Sequence, residues 1–142
     1  MPSRNIKDLH PLVQERCRRH MEMCTAEGID VLITCTYRSA QEQDELYAQG
    51  RTKPGRIVTK ARGGQSYHQY RVAYDVVPLR NGKPVWGTRG ADGALWQRVG
   101  ELGEKAGLEW AGRWVRMKEF PHFQYTGGKT ISHFQKGGTL TG

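Results

Sequence analysis

Residues 66–86 read SYHQYRVAYDVVPLRNGKPVW, and within them VAYDVVPLR alternates Ala73, Asp75 and Val77 with Val72, Tyr74 and Val76. A period of two, filled by β-branched and aromatic side chains, predicts a strand. Asn81-Gly82 is the two-residue turn whose backbone suits strand twist, so a hairpin into KPVW is expected. Upstream, the composition changes to glycine and basic residues, which places His68 in the turn that enters the strand.

Working outward, Leu9, Leu12, Val13, Cys17, Met21 and Cys24 recur at helical spacing from Asp8 to Glu27, with Pro11 early and Gly28 at the end. The following IDVLITCTY has strand composition. Ser39 and Glu42 then form a capping-box pattern before QEQDELYAQ, which Gly50 ends. Residues 51–65 hold three glycines, one proline and five basic side chains without periodicity and read as a long loop. A third helix is expected from about Asp92, with Leu95, Val99, Leu102 and Ala106 on one face, to Gly107. LEW, RWVRM and HFQYT are short strand candidates, and a helical turn is expected between the glycine pairs of the last sixteen residues. The fold class is α+β, helices packed on a small antiparallel sheet.

The 142 residues are 37% hydrophobic and carry 22 Lys plus Arg against 14 Asp plus Glu, a net charge of +8. That composition suits one globular domain and excludes a disordered chain. No apolar run approaches the roughly 20 residues that cross a bilayer, and MPSRNIKDLHPLVQ lacks a signal-peptide core, so synthesis as a soluble cytosolic protein is expected. Cys17, Cys24 and Cys35 have no metal-finger spacing and read as reduced core residues. No acid lies between Glu45 and Asp75, where Arg51, Lys53, Arg56, Lys60, Arg62 and Arg71 fall. An anionic partner and a merely solvated basic loop both fit this charge.

The chemistry concentrates in two segments. His68 and Asp75 are seven apart, about 10.5 Å if helical, too far for one metal ion. Across a turn entering a strand, they can converge. Asp75 alternates with Ala73 and Val77 on the face expected to be apolar, and a buried carboxylate needs a partner there, either a metal ion or an arginine. In KEFPHFQY, Pro121 stiffens the turn between Glu119 and His122. Two His and one Asp fit a catalytic zinc, because three protein ligands leave a position open. Glu119 is then either the carboxylate that moves the proton in hydrolysis or an exposed strand-end charge. Arg38, after the first strand, suits an oxyanion or a substrate carboxylate; pairing with Asp44 or Glu45 is the alternative. His10, His20 and His133 lack comparable neighbours, although His133 sits in a second HFQ triplet.

TYRSAQEQDELYAQGRT, SYHQYRVAYD and EFPHFQ, in that order, resemble the zinc peptidoglycan peptidases related to VanY carboxypeptidases, specifically phage L-alanyl-D-glutamate endopeptidases, over about residues 8–126. The resemblance implies a hedgehog/D-Ala-D-Ala peptidase-like fold, with residues 1–126 as a zinc peptidase domain and 127–142 as a Gly-rich tail packed on or trailing it. It implies one zinc ion on His68, Asp75 and His122, Glu119 as general base and acid, and Arg38 as transition-state clamp, with Ser66 and Gln43 in support. The implied activity is that of an endolysin, a monomer made in the host cytoplasm and released to cut the stem peptide between L-Ala and D-Glu, with the basic loop drawn to the anionic envelope. Rival readings are a D-Ala-D-Ala carboxypeptidase and, from another class, a non-catalytic wall-binding or nucleic-acid-binding module. Residues 51–65 lack the stacking aromatics that nucleic-acid binding favours. One departure is Arg71, where the family usually has glycine three residues after the first zinc histidine. A glycine there suggests a positive φ, so in this chain either the loop follows another path or the metal site is slightly strained, and Arg71→Gly is expected to raise stability while leaving zinc binding intact.

Overall fold

In the computed structural model, which describes residues 1–141, the strand anticipated in the middle of the chain is the centre of the sheet. This strand, β2 (Ala73–Arg80), follows α1 (Pro11–Ala26), β1 (Asp30–Cys35) and α2 (Ala40–Ala48). After it come β3 (Lys83–Pro84), α3 (Gly90–Lys105), β4 (Glu109–Trp110), β5 (His122–Gln124) and α4 (Ile131–Gln135). The sheet is ordered β1-β2-β5-β4, with β3 a hairpin partner of β2. The pairings of β2 with β1, β3 and β5 and of β4 with β5 are all antiparallel. Asn81 and Gly82, at φ 54° and 76°, make the expected turn.

Both faces of β2 are covered, which corrects the assignment of Ala73, Asp75 and Val77 to the main apolar face. Val72, Tyr74 and Val76 join the core cluster with Val13, Cys17 and Cys24 of α1 and Val99 and Leu102 of α3. Asp75 points the other way, toward a cleft, between the buried Ala73 and Val77. The helices approach the sheet closely because α3 offers glycine notches. A Cβ on Gly100 would lie 2.2 Å from the Trp110 ring, and one on Gly103 would lie 2.4 Å from the Phe123 ring. Either substitution forces the helix off the sheet.

Local signals explain most boundaries. Pro11 occupies the first turn of α1 and His10 caps it, its Nδ1 accepting from the Leu12 amide at 3.1 Å; the residues before it form a separate 3₁₀ turn, Ile6–Asp8. The Ser39–Glu42 capping box starts α2. The third helix begins at Gly90, two residues before the expected Asp92, with no side-chain cap at Arg89. RWVRM is not a strand. A 3₁₀ turn at Ala111–Arg113 leads into irregular chain, Val115 is fully exposed, and Met117 takes φ 54°. Alternation alone does not make a strand where no neighbour offers hydrogen bonds. At the carboxyl end, Phe134 stacks on Tyr70, with ring centroids 5.7 Å apart, and Leu140 is buried.

Candidate metal centre and cleft

Strand register assembles the site. Cys35 on β1 lies opposite Asp75 on β2, and Asp75 lies opposite His122 on β5, so one row across three strands carries a thiol, a carboxylate and an imidazole. Directly opposed residues share a face of the sheet. His68 joins them from a 3₁₀ turn, Tyr67–Tyr70, which a second capping box holds: Ser66 Oγ accepts from the His68 amide at 3.2 Å and Gln69 Oε1 from the Ser66 amide at 3.0 Å. Arg71 ends this turn at φ 66°, so of the two alternatives the loop keeps the left-handed conformation that a glycine would favour. Its guanidinium donates to the Asp8 carbonyl at 2.9 Å and lies 4.0 Å from the Tyr37 ring centroid. Those contacts offset the backbone strain, so the stability gain expected from glycine there shrinks.

Both imidazoles face one carboxylate oxygen. His68 Nε2 lies 3.3 Å and His122 Nδ1 3.2 Å from Asp75 Oδ1. Their other nitrogens meet acceptors too: His68 Nδ1 is 2.9 Å from the Thr36 carbonyl, and His122 Nε2 is 2.8 Å from Gln124 Oε1. A neutral imidazole has one N–H to give, and each of these rings is flanked by two acceptors. With that N–H donated to the outer acceptor, the inner nitrogen presents a lone pair to a carboxylate, and only a proton or a cation between them makes the contact favourable. Ligands about 2.0 Å from a tetrahedral ion lie about 3.3 Å apart, the spacing seen around Asp75 Oδ1.

Without metal, a proton fills this role at His68. Burial opposes a charge on His68, yet the neighbouring Asp75 carboxylate outweighs it and raises the imidazole pKa to about 10. Asp75 is pushed upward by burial but, against the charge of His68 and hydrogen bonds from both imidazoles, ends well below the usual carboxylate range.

Cys35, expected to be a plain core thiol, is free and buried but also borders the site. Its Sγ lies 3.6 Å from His68 Nδ1, and ligand atoms of Cys35, His68 and Asp75 all fall within 4.8 Å of one another. The thiol stands at the Nδ1 edge of the ring, already bonded to Thr36, while Asp75 stands at the Nε2 edge.

Arg38 does not pair with Asp44 or Glu45. It donates to Gln43 Oε1 at 3.0 Å and to Cys35 Sγ at 3.5 Å, its terminal nitrogen lies 4.0 Å from Asp75 Oδ2, and its Nε has no partner among the described residues. Asp44 instead accepts from the Gly63 amide at 2.7 Å. Gln43 is buried and holds the basic loop by donating to the Ala61 carbonyl at 2.8 Å, so it positions Arg38. Ser66 lines the cleft, but its hydroxyl is occupied as a turn cap.

The cleft above the row has a volume of about 540 Å³. Arg38, His68, Asp75, Glu119 and His122 all line it. Glu119 is exposed at its rim, three residues before His122, and makes no side-chain hydrogen bond or ion pair among the described residues. A free carboxylate at the mouth can take up and release protons. Trp114 covers one side of His122, with ring centroids 5.8 Å apart. Trp114, Cys35 and Gln124 escaped the sequence reading, the first because RWVRM looked like a strand, the others because only cross-strand register or a side-chain contact reveals them. His20 is buried in the core on the opposite face of the sheet, and the half-buried His133 lies 3.0 Å from the Thr139 carbonyl; neither joins the cluster.

Comparisons with known proteins fit this arrangement. Residues 59–125 match a family model of M15 peptidases described as D-alanyl-D-alanine carboxypeptidase. The peptidoglycan L-alanyl-D-glutamate endopeptidase CwlK of Bacillus subtilis (strain 168) is 44% identical over 123 residues, covering 82% of this chain and 73% of the relative. The crystal structure of the L-Ala D-Glu endopeptidase ChiX of Serratia marcescens superposes with a TM-score of 0.64 at 21% identity, over 89% of each chain. The vancomycin-resistance D,D-pentapeptidase VanY, solved in complex with Zn(II), superposes with a TM-score of 0.59 at 16% identity, over 92% of this chain and 80% of that one. These likenesses extend through the sheet and its helices, and the α+β fold is theirs as well. On the strength of the identity shared with CwlK across most of both sequences, the chain belongs to the VanY-like M15 family of peptidases.

Proposed function

We propose that this protein is a zinc-dependent endopeptidase that hydrolyses the L-alanyl-D-glutamate bond of the peptidoglycan stem peptide. The observation that carries the reading is the convergence of two imidazoles, each already bonded on its outer nitrogen, on one oxygen of Asp75 beneath an open cleft. His68 Nε2, Asp75 Oδ1 and His122 Nδ1 would hold the ion, with Cys35 on the far edge of the His68 ring. Identity to CwlK supports the choice of bond. Bound zinc would supply Lewis acidity, polarising the scissile carbonyl and lowering the pKa of water to about 7.

Around that centre, each side chain has a defined task. Glu119 takes a proton as water oxygen bonds to the carbonyl carbon, then delivers it to the departing amine as the C–N bond breaks. Arg38, held by Gln43, stabilises the charge that gathers on the carbonyl oxygen. The basic loop favours the anionic envelope, and the chain works as a monomer. The setting we favour is that of an endolysin: synthesis in a host cytoplasm, release to the wall, and host lysis.

A D-alanyl-D-alanine carboxypeptidase is the second reading, favoured by the description of the matching family model. Digestion of purified sacculi, with Glu119→Ala as control and mass analysis of new termini, separates the two. Stem peptides beginning at D-Glu are the expected product. Loss of terminal D-Ala alone would establish the carboxypeptidase, and no product from zinc-loaded protein would reject both.

A further inference from the structure

Gln124 is a buried polar side chain that closes the EFPHFQ stretch and to which the proposed reaction gives no role. It is 4% exposed, and its Oε1 lies 2.8 Å from His122 Nε2. The two residues alternate on β5, so their side chains stand on the same face. Opposite Gln124 on β2 is Ala73, whose single methyl leaves room for an amide to turn toward the ring. The Thr36 carbonyl does for His68 what Oε1 does for His122. The first is main chain, fixed by the fold; the second is a replaceable side chain.

We infer that Gln124 is a positioning residue for the metal centre, setting the His122 tautomer by accepting from Nε2–H so that Nδ1 carries the lone pair facing Asp75 and the ion. An amide oxygen only accepts, so a short contact with Nε2 assigns the proton to that nitrogen. Outer partners of metal-bound imidazoles fix ring orientation and raise ligand basicity, and their loss weakens metal affinity about 10–100-fold. Gln124 lines the cleft beside His122, and in this role it moves no proton. The inference rests on the zinc site proposed above.

Zinc affinity measured by competition with a chromophoric chelator, at one pH, tests it in wild type, Gln124→Met and Gln124→Glu. Methionine keeps length and removes the acceptor; glutamate keeps the acceptor. The expected result is about 10–100-fold weaker binding for Gln124→Met and affinity at least equal to wild type for Gln124→Glu. In nitrogen-detected NMR of the zinc-loaded protein, a protected His122 Nε2 proton should be present in wild type and Gln124→Glu and absent in Gln124→Met. Unchanged affinity in Gln124→Met, or equal loss in both variants, would overturn the inference while leaving the zinc site standing. A wild-type protein that takes up no zinc would overturn both.

Discussion

His20 and His68 are both buried imidazoles with polar atoms at each nitrogen, yet one lies in the core and the other in the candidate metal centre. His20 Nε2 meets the Val99 carbonyl at 2.8 Å and its Nδ1 meets the Tyr74 hydroxyl at 2.7 Å. A carbonyl needs a donor and a hydroxyl can supply one, so a neutral ring satisfies both. Burial, partly countered by the bond to Val99, pushes the His20 pKa down to about 4. His68 faces a carbonyl and a carboxylate, which both accept, so its ring requires a second proton or a cation. Burial is common to the two; the donor count distinguishes them. His122, between Asp75 and Gln124, repeats the pattern of His68.

Breaking each site should therefore produce different losses. Asp75→Ala removes the oxygen that both site imidazoles share, and zinc affinity should fall by more than the roughly 100-fold that an outer partner commands. His20→Ala should leave zinc affinity unchanged in the same chelator assay and cost about 2–4 kcal/mol of stability in urea melts, from the cavity and the two unpaired groups. Zinc loss in His20→Ala would dissolve the distinction. Glu119→Gln should lower kcat on a stem-peptide substrate by about 10²–10⁴-fold, with bound zinc unchanged by elemental analysis.

The pH dependence of the metal-free protein should show the two histidines acting in opposite directions. For His20 the folded value, about 4, lies below the ordinary imidazole value of 6.5. The unfolded chain then binds the extra proton, so stability falls as pH drops from 6.5 toward 4. For His68 the folded value, about 10, lies above 6.5, so its contribution is complete below 6.5 and is lost as pH rises toward 10. Asp75 is shifted downward, so its share is present above 3.8 and lost in acid. Urea melts across pH should lose both the alkaline slope and the part of the acid slope below about 3.8 in Asp75→Asn, and keep the His20 slope between 6.5 and 4. Because zinc displaces the His68 proton, its binding at pH 7 should release protons in calorimetry run in buffers of different ionisation enthalpy.

Smallest of these is the effect of Arg71→Gly. Relief of a left-handed residue, worth about 1–2 kcal/mol, is opposed by the lost bond to Asp8 and the contact with Tyr37. The net change in stability should stay within about 1 kcal/mol, with zinc affinity intact; a loss above 2 kcal/mol would mean the side-chain contacts dominate the turn.

Local patterns carried much of this into the sequence. The β2 hairpin, the Ser39–Glu42 cap, the position of His68 in a turn and the proline-stiffened approach to His122 all follow from short-range spacing. Long-range pairing does not. Alternation around Asp75 shows two faces without saying which one the helices cover. The closeness of Cys35 depends on the register of β1, which shifts irregularly between Ile33 and Cys35. Arg38 has two acids nearby in sequence and pairs with neither, because α2 turns Gln43 toward it and Asp44 toward the loop. A glutamine that serves as acceptor for a ring has no pattern to announce it.

X-ray absorption at the zinc edge of the loaded protein tests most directly the claim that the ion lies on the Nε2 side of His68, with Asp75 and His122. The expected spectrum is a nitrogen and oxygen shell at about 2.0–2.1 Å with imidazole multiple scattering from two rings and no sulfur. A sulfur shell near 2.3 Å would place the ion on Cys35 at the opposite edge of the ring and contradict it.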